Sequence, residues 1–526
     1  MFENEFYHLI QKQDLQLPEL FRSLKTIVSS LGTSPVLSND LVCLFPKVAQ
    51  KPYVRLQTQS TPHISAPLKV AAVFSGGQAS GGHNVLVGLQ QALQNLHPKS
   101  LLLGFKGGPD GLIHNRYEVL TKERLLGYYN TGGFDLIGSG RTKIETPEHF
   151  QSVLQTAQHH QLDGLVMIGG DDSNTNAAFL AEFFLSKNIT TKVIGVPKTI
   201  DGDLRSSEIE VSFGFDTATK VYSGLIGNVA RDAISAQKYF HFVKLMGRSA
   251  SHVTLECALQ TCPNFALIGE EIAYHKMTLS QITHALADLM SQRANMGKNY
   301  GVGLIPEGLI EFIPEIGVLI QELNAAQVSE NSRKLLTSLP ASIAEQLQDD
   351  RDPHGNVQVS KIDTEQLLIE LVKKELAQRT SYRGKFNPVN HFFGYEGRAA
   401  YPTWFDASYC LALGYTAAIL IDQGHTGYMA QVSNLIKDPE HWSVGGVPLT
   451  SMMAFETRKG KLKPVIKKAY VDLEGEPFRC FLAQRGRWGV EDLYRYPGPV
   501  QYFGPHEVVR QRPLSMQLEQ HALTYI

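Results

Sequence analysis

From residue 68 onward, short apolar runs alternate with stretches of helical periodicity. The runs at 70–74, 101–105, 162–168 and 192–196 are predicted strands. The stretches at 84–96 and 174–185 are predicted helices between them. A second set begins near residue 215. It has a long helix to about 237, a strand at 242–245, a helix from about 251, and strands at 265–268 and 302–305. Strands alternating with helices predict parallel, doubly wound sheets, with ligands beyond the carboxyl ends of the strands. The expected fold is therefore α/β, with two Rossmann-like lobes built on mainly parallel sheets.

Two regions break this rhythm. Residues 310–385 are rich in Glu, Gln, Leu and Lys at helical spacing, interrupted by Asp349-Asp350-Arg351-Asp352-Pro353-His354-Gly355 as a loop. They read as a helical insertion with solvated charged faces. Residues 1–65 read as an N-terminal extension, a helical arm opening on Phe2, Phe6, Leu9 and Ile10 and closing in a linker over 57–62. The expected organisation is 1–65, a first lobe at 66–212, a second lobe at 213–309 and 386–470, the insertion at 310–385, and a C-terminal segment at 471–526 packing on the main body.

Composition narrows the possibilities. A net charge of −2 over 526 residues supplies no basic field for nucleic acid or for an anionic membrane, so any phosphate binding is local. Five cysteines, few and odd in number, argue for a reducing compartment, and Cys257 and Cys262 lack the second pair of a zinc site. The acidic N-terminus has no basic n-region, and the longest apolar stretch, 409–421, is read as too short to span a bilayer. A soluble, cytoplasmic protein is expected.

The chemistry concentrates at strand ends. Ser75-Gly76-Gly77-Gln78-Ala79-Ser80-Gly81-Gly82-His83-Asn84 follows the first strand and opens a helix, as a phosphate cradle does; a tight structural turn would look similar. It lacks the Gly-Lys-Ser/Thr of a P-loop and the spacing of a dinucleotide fingerprint. Gly169-Gly170-Asp171-Asp172-Ser173 sets two carboxylates at a strand terminus, an arrangement costly without a cation, and Asp171 suits Mg²⁺. Pro197-Lys198-Thr199-Ile200-Asp201-Gly202-Asp203 adds a charge neutraliser in Lys198 and a base candidate in Asp201, the parts phosphoryl transfer needs. Met246-Gly247-Arg248, Pro306-Glu307-Gly308 and Gly394-Tyr395-Glu396-Gly397-Arg398 are each unremarkable alone. Together they describe a pocket for a sugar phosphate.

In this order and combination, the motifs resemble the phosphofructokinases, and within them the pyrophosphate-dependent type, over roughly residues 65–520. The resemblance implies a reversible transfer of phosphate from pyrophosphate to the 1-hydroxyl of fructose 6-phosphate. It implies Mg²⁺ on Asp171, pyrophosphate on Gly76, Lys198 and Asp172, and Asp201 as the base. Thr199, Ile200 and Asp201 of the first lobe, together with Met246, Gly247, Arg248, Glu307, Tyr395, Glu396, Gly397 and Arg398 of the second, would hold the sugar phosphate, with pyrophosphate and Mg²⁺ in the first lobe. Lys238 and Tyr239 match a pair that reaches into a neighbouring subunit's sugar site, which implies a homodimer. Asp172 stands where ATP-using relatives usually have Gly; its bulk and charge would exclude a third phosphate. Ser80 departs from the Pro that relatives often have. The competing readings are an ATP-dependent phosphofructokinase and a regulatory subunit of the same family that lacks catalysis; the presence of Lys198, Asp201, Asp171 and Arg248 argues against the second.

Overall fold

The computed structural model describes residues 15–351, 357–458, 461–497, 510 and 512–521. Phe2, Phe6, Leu9, Ile10 and residues 352–355 of the expected loop lie outside these. The described residues fall into two units. The first runs to Ala218 and resumes at Arg398–Ala469 with Arg510 and Arg512. The second comprises Thr219–Gly397, 470–497 and 513–521.

The first unit is built on a mixed ten-stranded sheet. Its strands are β1 (Ile27–Leu31), β2 (Val54–Thr58), β3 (Lys69–Ser75), β4 (Leu101–Phe105), β5 (Tyr117–Val119), β6 (Ser139–Gly140), β7 (Gly164–Gly169) and β8 (Lys192–Pro197), followed later in the chain by two more. The second unit has a four-stranded, all-parallel sheet of β9 (Phe240–Leu245), β10 (Phe265–Ala266), β11 (Gly301–Pro306) and β12 (Pro388–Phe393), in the order β10-β11-β9-β12. The remaining strands of the large sheet are β13 (Tyr428–Ser433) and β14 (Ser443–Pro448), and its order is β1-β2-β14-β13-β8-β7-β3-β4-β5. From β13 to β4 the strands run parallel. β3, β7 and β8 are buried almost throughout, as continuous apolar runs in a parallel sheet should be. The α/β expectation holds.

Several finer expectations need correction. The extension is not only a helical arm: β1 and β2 pair antiparallel and join the sheet edge through β14, so residues 57 and 58 lie in a strand rather than a linker. Residues 398–469 belong with the first unit, not the second. The reason is packing. The helix Trp404–Asp422 lies against the helix Gly82–Leu96, and β13 pairs with β8. At 19 residues that helix also exceeds the 409–421 stretch and is long and apolar enough to cross a membrane by length and composition, yet its apolar window is wholly buried as a core helix. The described residues of 310–385 are largely helical, and Leu367, Leu368, Ile369 and Val372 share one core with Phe240 and Phe242 of β9. In the C-terminal segment the helix Glu476–Val490 caps the second unit, with Arg293 donating to Asp492 at 2.8 Å and to the Gly489 carbonyl at 3.0 Å.

The two long helices of the first unit approach backbone to backbone. A Cβ on Gly88 would collide with the Leu411 carbonyl, and one on Gly414 with the Val85 carbonyl. Gly414→Ala should therefore destabilise the protein by about 1–3 kcal/mol through overpacking, read as a lower melting temperature; an unchanged melt would count against this contact. At the head of the same helix pair, His83 is buried and sits 2.9 Å from Thr131 Oγ1. Burial outweighs nearby Asp135 and pushes its pKa down to about 4. The unfolded chain takes up a proton below about pH 6.5 that the folded imidazole refuses, so this contribution is present above that pH and is lost as pH falls toward 4. Between pH 7 and 5 the wild type's melting temperature should fall further than that of His83→Asn, and parallel curves would refute the assignment.

Candidate active site

The register of the large sheet brings four loops to one place. Gly140, Ser75, Gly169 and Pro197, the last residues of β6, β3, β7 and β8, are successive register partners across the sheet. The residues that follow them, Arg141, Gly76, Gly170 and Lys198, therefore leave the sheet side by side. β4 pairs with β3 only as far as Ala72, and β6 takes over at Phe74. Chain order reverses between β3 and β7, which is the switch point where ligands bind in open α/β sheets.

Gly76 has φ +90, a conformation that L residues rarely adopt, and its N–H donates to the Gly140 carbonyl at 2.9 Å. A Cβ there would stand 3.3 Å from Lys198 Nζ. Beside it, a Cβ on Gly77 would be 3.3 Å from Arg398 Nη1 and 3.8 Å from Arg141 Nη2. Thus a bare backbone faces one ammonium and two guanidinium groups, as an anion cradle requires. Asp171 and Asp172 occupy the first turn of the helix Asp171–Ser186. Ser173 Oγ donates to Ser75 Oγ at 2.7 Å, and Asn174 Nδ2 donates to the Gly169 carbonyl at 2.7 Å, tying that helix to both strand ends.

Lys198 is buried, and its pKa is lowered to about 8. Burial is the main cause; the carboxylates of Asp201, Asp171 and Asp203 oppose it, and Arg141 reinforces it. Asp203 is raised to about 7, by burial first and then by Asp201 and Asp171, with Lys468 opposing. Three carboxylates and one ammonium thus act on one another in a small volume. The donor set is oxygen-only, which suits Mg²⁺, and no ready-made cage of three or more ligands is found among the described residues. That fits an ion held by one or two carboxylates and by substrate phosphates. Thr199 Oγ1 accepts the Asp201 N–H at 3.0 Å and shapes this loop. The Ile200 side chain is buried and offers a ligand only its main chain.

The second unit repeats the device. Glu307, Met246 and Gly394 directly follow the register partners Pro306, Leu245 and Phe393. The Gly247 N–H donates to Glu307 Oε2 at 2.9 Å. A Cβ on Gly308 would collide with the Arg248 carbonyl, and one on Gly394 would sit 2.7 Å from Met246 Cε. Glu396 Oε2 accepts the Gly394 N–H at 3.0 Å, and Gly397 is buried against the Tyr222 ring. Arg248 and Tyr395 are exposed at this end. Lys238 and Tyr239 are not brought to it. They precede β9 and stand exposed at its amino end, about 20 Å away at strand rise.

Three cations were not singled out from sequence. Arg141 and Lys143 follow β6, whose two residues are too few to show periodicity, and Lys143 Nζ lies 3.2 Å from Asp172 Oδ2. Lys468 reaches Asp203 because the Ala469 N–H donates to the Asp203 carbonyl at 2.7 Å, a contact between segments far apart in the chain. The Gly-Ser-Gly-Arg-Thr-Lys run at 138–143 was the available signal for the first two. Arg398, expected among the sugar residues, lies at Gly77 in the first unit.

Residues 69–421 match the family model described as Phosphofructokinase. The pyrophosphate–fructose 6-phosphate 1-phosphotransferase of Treponema pallidum is 51% identical over 528 residues, covering 94% of this chain and 92% of its own. Subunit beta 1 of the Arabidopsis thaliana protein of that name is 51% identical over 523 residues, covering 96% and 92%. The Porphyromonas gingivalis protein is 46% identical over 532 residues, covering 96% and 97%. Among solved structures, the pyrophosphate-dependent phosphofructokinase from Marinobacter aquaeolei shares the fold, with a TM-score of 0.55 at 16% identity over 81% of this chain and 92% of that one. The chain belongs to the phosphofructokinase family.

Proposed function

We propose that this chain is a pyrophosphate–fructose 6-phosphate 1-phosphotransferase. It moves a phosphoryl group reversibly from pyrophosphate to the 1-hydroxyl of fructose 6-phosphate, giving fructose 1,6-bisphosphate and phosphate. The observation that carries this reading is the pairing of a buried Lys198 ammonium beside Gly76 with the Asp172 carboxylate at the start of the adjoining helix. Such a site welcomes two phosphates and opposes a third.

Each residue then has a task. Gly76 lets the backbone approach the diphosphate. Lys198 balances charge that builds on it as its bond breaks. Asp201 takes the proton from the sugar hydroxyl, and its loop is set by Thr199. Asp171, with Asp201 and Asp203 near, would hold Mg²⁺, which neutralises phosphate charge when bound. In the second unit Arg248 pairs with the sugar's phosphate, Glu307 and the Gly247 main chain take its hydroxyls, and Met246, Tyr395, Glu396 and Gly397 complete the surround. Donor and metal thus belong to the first unit and the sugar phosphate to the second. Lys238 and Tyr239, at the far end of β9, serve the sugar site of a second copy in a homodimer. A cytoplasmic glycolytic setting suits the five free cysteines.

Purified protein with Mg²⁺ and fructose 6-phosphate should turn over with pyrophosphate and not with ATP. Asp201→Ala should lower kcat by about 10²–10⁴-fold with sugar-phosphate binding retained, and a near-normal rate would remove Asp201 as the base. Asp172→Gly combined with Lys198→Gly should cut pyrophosphate kcat/KM by about 10²-fold or more and admit ATP. Unchanged donor preference would defeat the steric and charge argument.

A further inference from the structure

Lys143 has no part in the scheme above, yet its Nζ lies 3.2 Å from Asp172 Oδ2. An exposed pair of this kind is ordinarily worth little. Here both side chains are only partly exposed, at 34% and 46%, and the backbone on both sides of the pair is anchored independently of it. The Lys143 carbonyl is bonded to His149 Nδ1 at 3.1 Å. The Ile144 N–H donates to Asn176 Oδ1 at 3.1 Å, and Asn176 Nδ2 donates back to the Ile144 carbonyl at 3.3 Å. Asn176 lies on the helix that begins with Asp171 and Asp172. Three residues earlier, the Gly140 carbonyl accepts from Gly76. The segment carrying Lys143 is therefore clamped between the anion cradle and the helix that presents Asp172.

We propose that Lys143 is a positioning residue for donor selection. It holds the Asp172 carboxylate at one place on the rim of the donor site and balances part of its charge. A carboxylate there unpaired would repel pyrophosphate as well as a longer polyphosphate. Paired with Lys143, it keeps its bulk in place while its field on the bound diphosphate is reduced. This inference rests on the donor-site reading of Asp172 given above.

The test uses the full-length protein with Mg²⁺ and reads pyrophosphate binding by calorimetry as well as steady-state kinetics. Lys143→Met should weaken pyrophosphate binding and raise its KM by about 10-fold, more than kcat falls, while the melting temperature holds. Lys143→Arg should restore most of the loss. In an Asp172→Asn background, Lys143→Met should cost less than about threefold, because the charge it balances is gone. Wild-type binding and KM in Lys143→Met would overturn the proposal. So would a full 10-fold loss in the Asp172→Asn background, since Lys143 would then act on pyrophosphate directly. Failure of the donor-site reading has a different signature, in which the wild type itself neither binds nor uses pyrophosphate.

Discussion

One row of register partners governs the donor end of this protein. Gly140, Ser75, Gly169 and Pro197 lie abreast because β6, β3, β7 and β8 run parallel in one sheet. Only that alignment lets a lysine follow one strand, a bare glycine another and two aspartates a third within contact distance. A buried ammonium loses its proton readily unless carboxylates surround it, and Lys198 has Asp201, Asp171 and Asp203. The carboxylates in turn crowd one another, and burial first, then Asp201 and Asp171, raises the pKa of Asp203 to about 7. Neither group would be tolerable without the other. A one-residue slip of β7 against β8 would carry Asp171 and Asp172 away from Lys198 and leave that ammonium to the carboxylates of its own loop, Asp201 and Asp203.

The long periodic elements were legible in the sequence. The strand 101–105 is observed as read, and the others differ at their ends by a few residues. The motifs at strand ends were legible too, because Asp and Lys clustered there with Gly break the apolar pattern of the strands they follow. What could not be read is contact between distant segments. Residues 398–469 follow the second sheet in sequence but add β13 and β14 to the first, and nothing local in an apolar helix says which core it enters. β1 was missed because its burial hardly alternates, whereas β2 alternates over Val54–Gln57 and that short signal went unread. Arg141 and Lys143 were missed because β6 is two residues long and its position depends wholly on β3.

Selection against a longer donor is a matter of where negative charge is fixed. A carboxylate free to swing would neither fill a volume nor repel at a defined point. Asp172 stands in the first turn of a 16-residue helix, where the helix field favours its charge, and that helix is tied at Asn174 and Asn176 to neighbouring backbone. On the proposed assignment the discrimination belongs to a rigid element rather than to a loop. It is separable, on that assignment, from the chemistry, which falls to Asp171 beside it and to Asp201 on the loop after β8.

The insertion bears on the second unit through β9. Lys244 of that strand is nearly inaccessible, and its ammonium lies 3.0 Å from Glu365 of the insertion helix Thr364–Gln378 and 3.1 Å from the Ile362 carbonyl. A charge so placed depends on its partners; Asp363 Oδ1 stands 3.5 Å away as a second, more exposed carboxylate, so removing Glu365 alone should cost less than the roughly 3–5 kcal/mol of a fully stranded buried charge. The next residues along β9 are Leu245 and then Met246, Gly247 and Arg248. The strand that leads into these proposed sugar-phosphate residues is therefore anchored by the insertion. With Leu367, Leu368, Ile369 and Val372 in the core of that sheet, the insertion is part of the scaffold that aims Arg248.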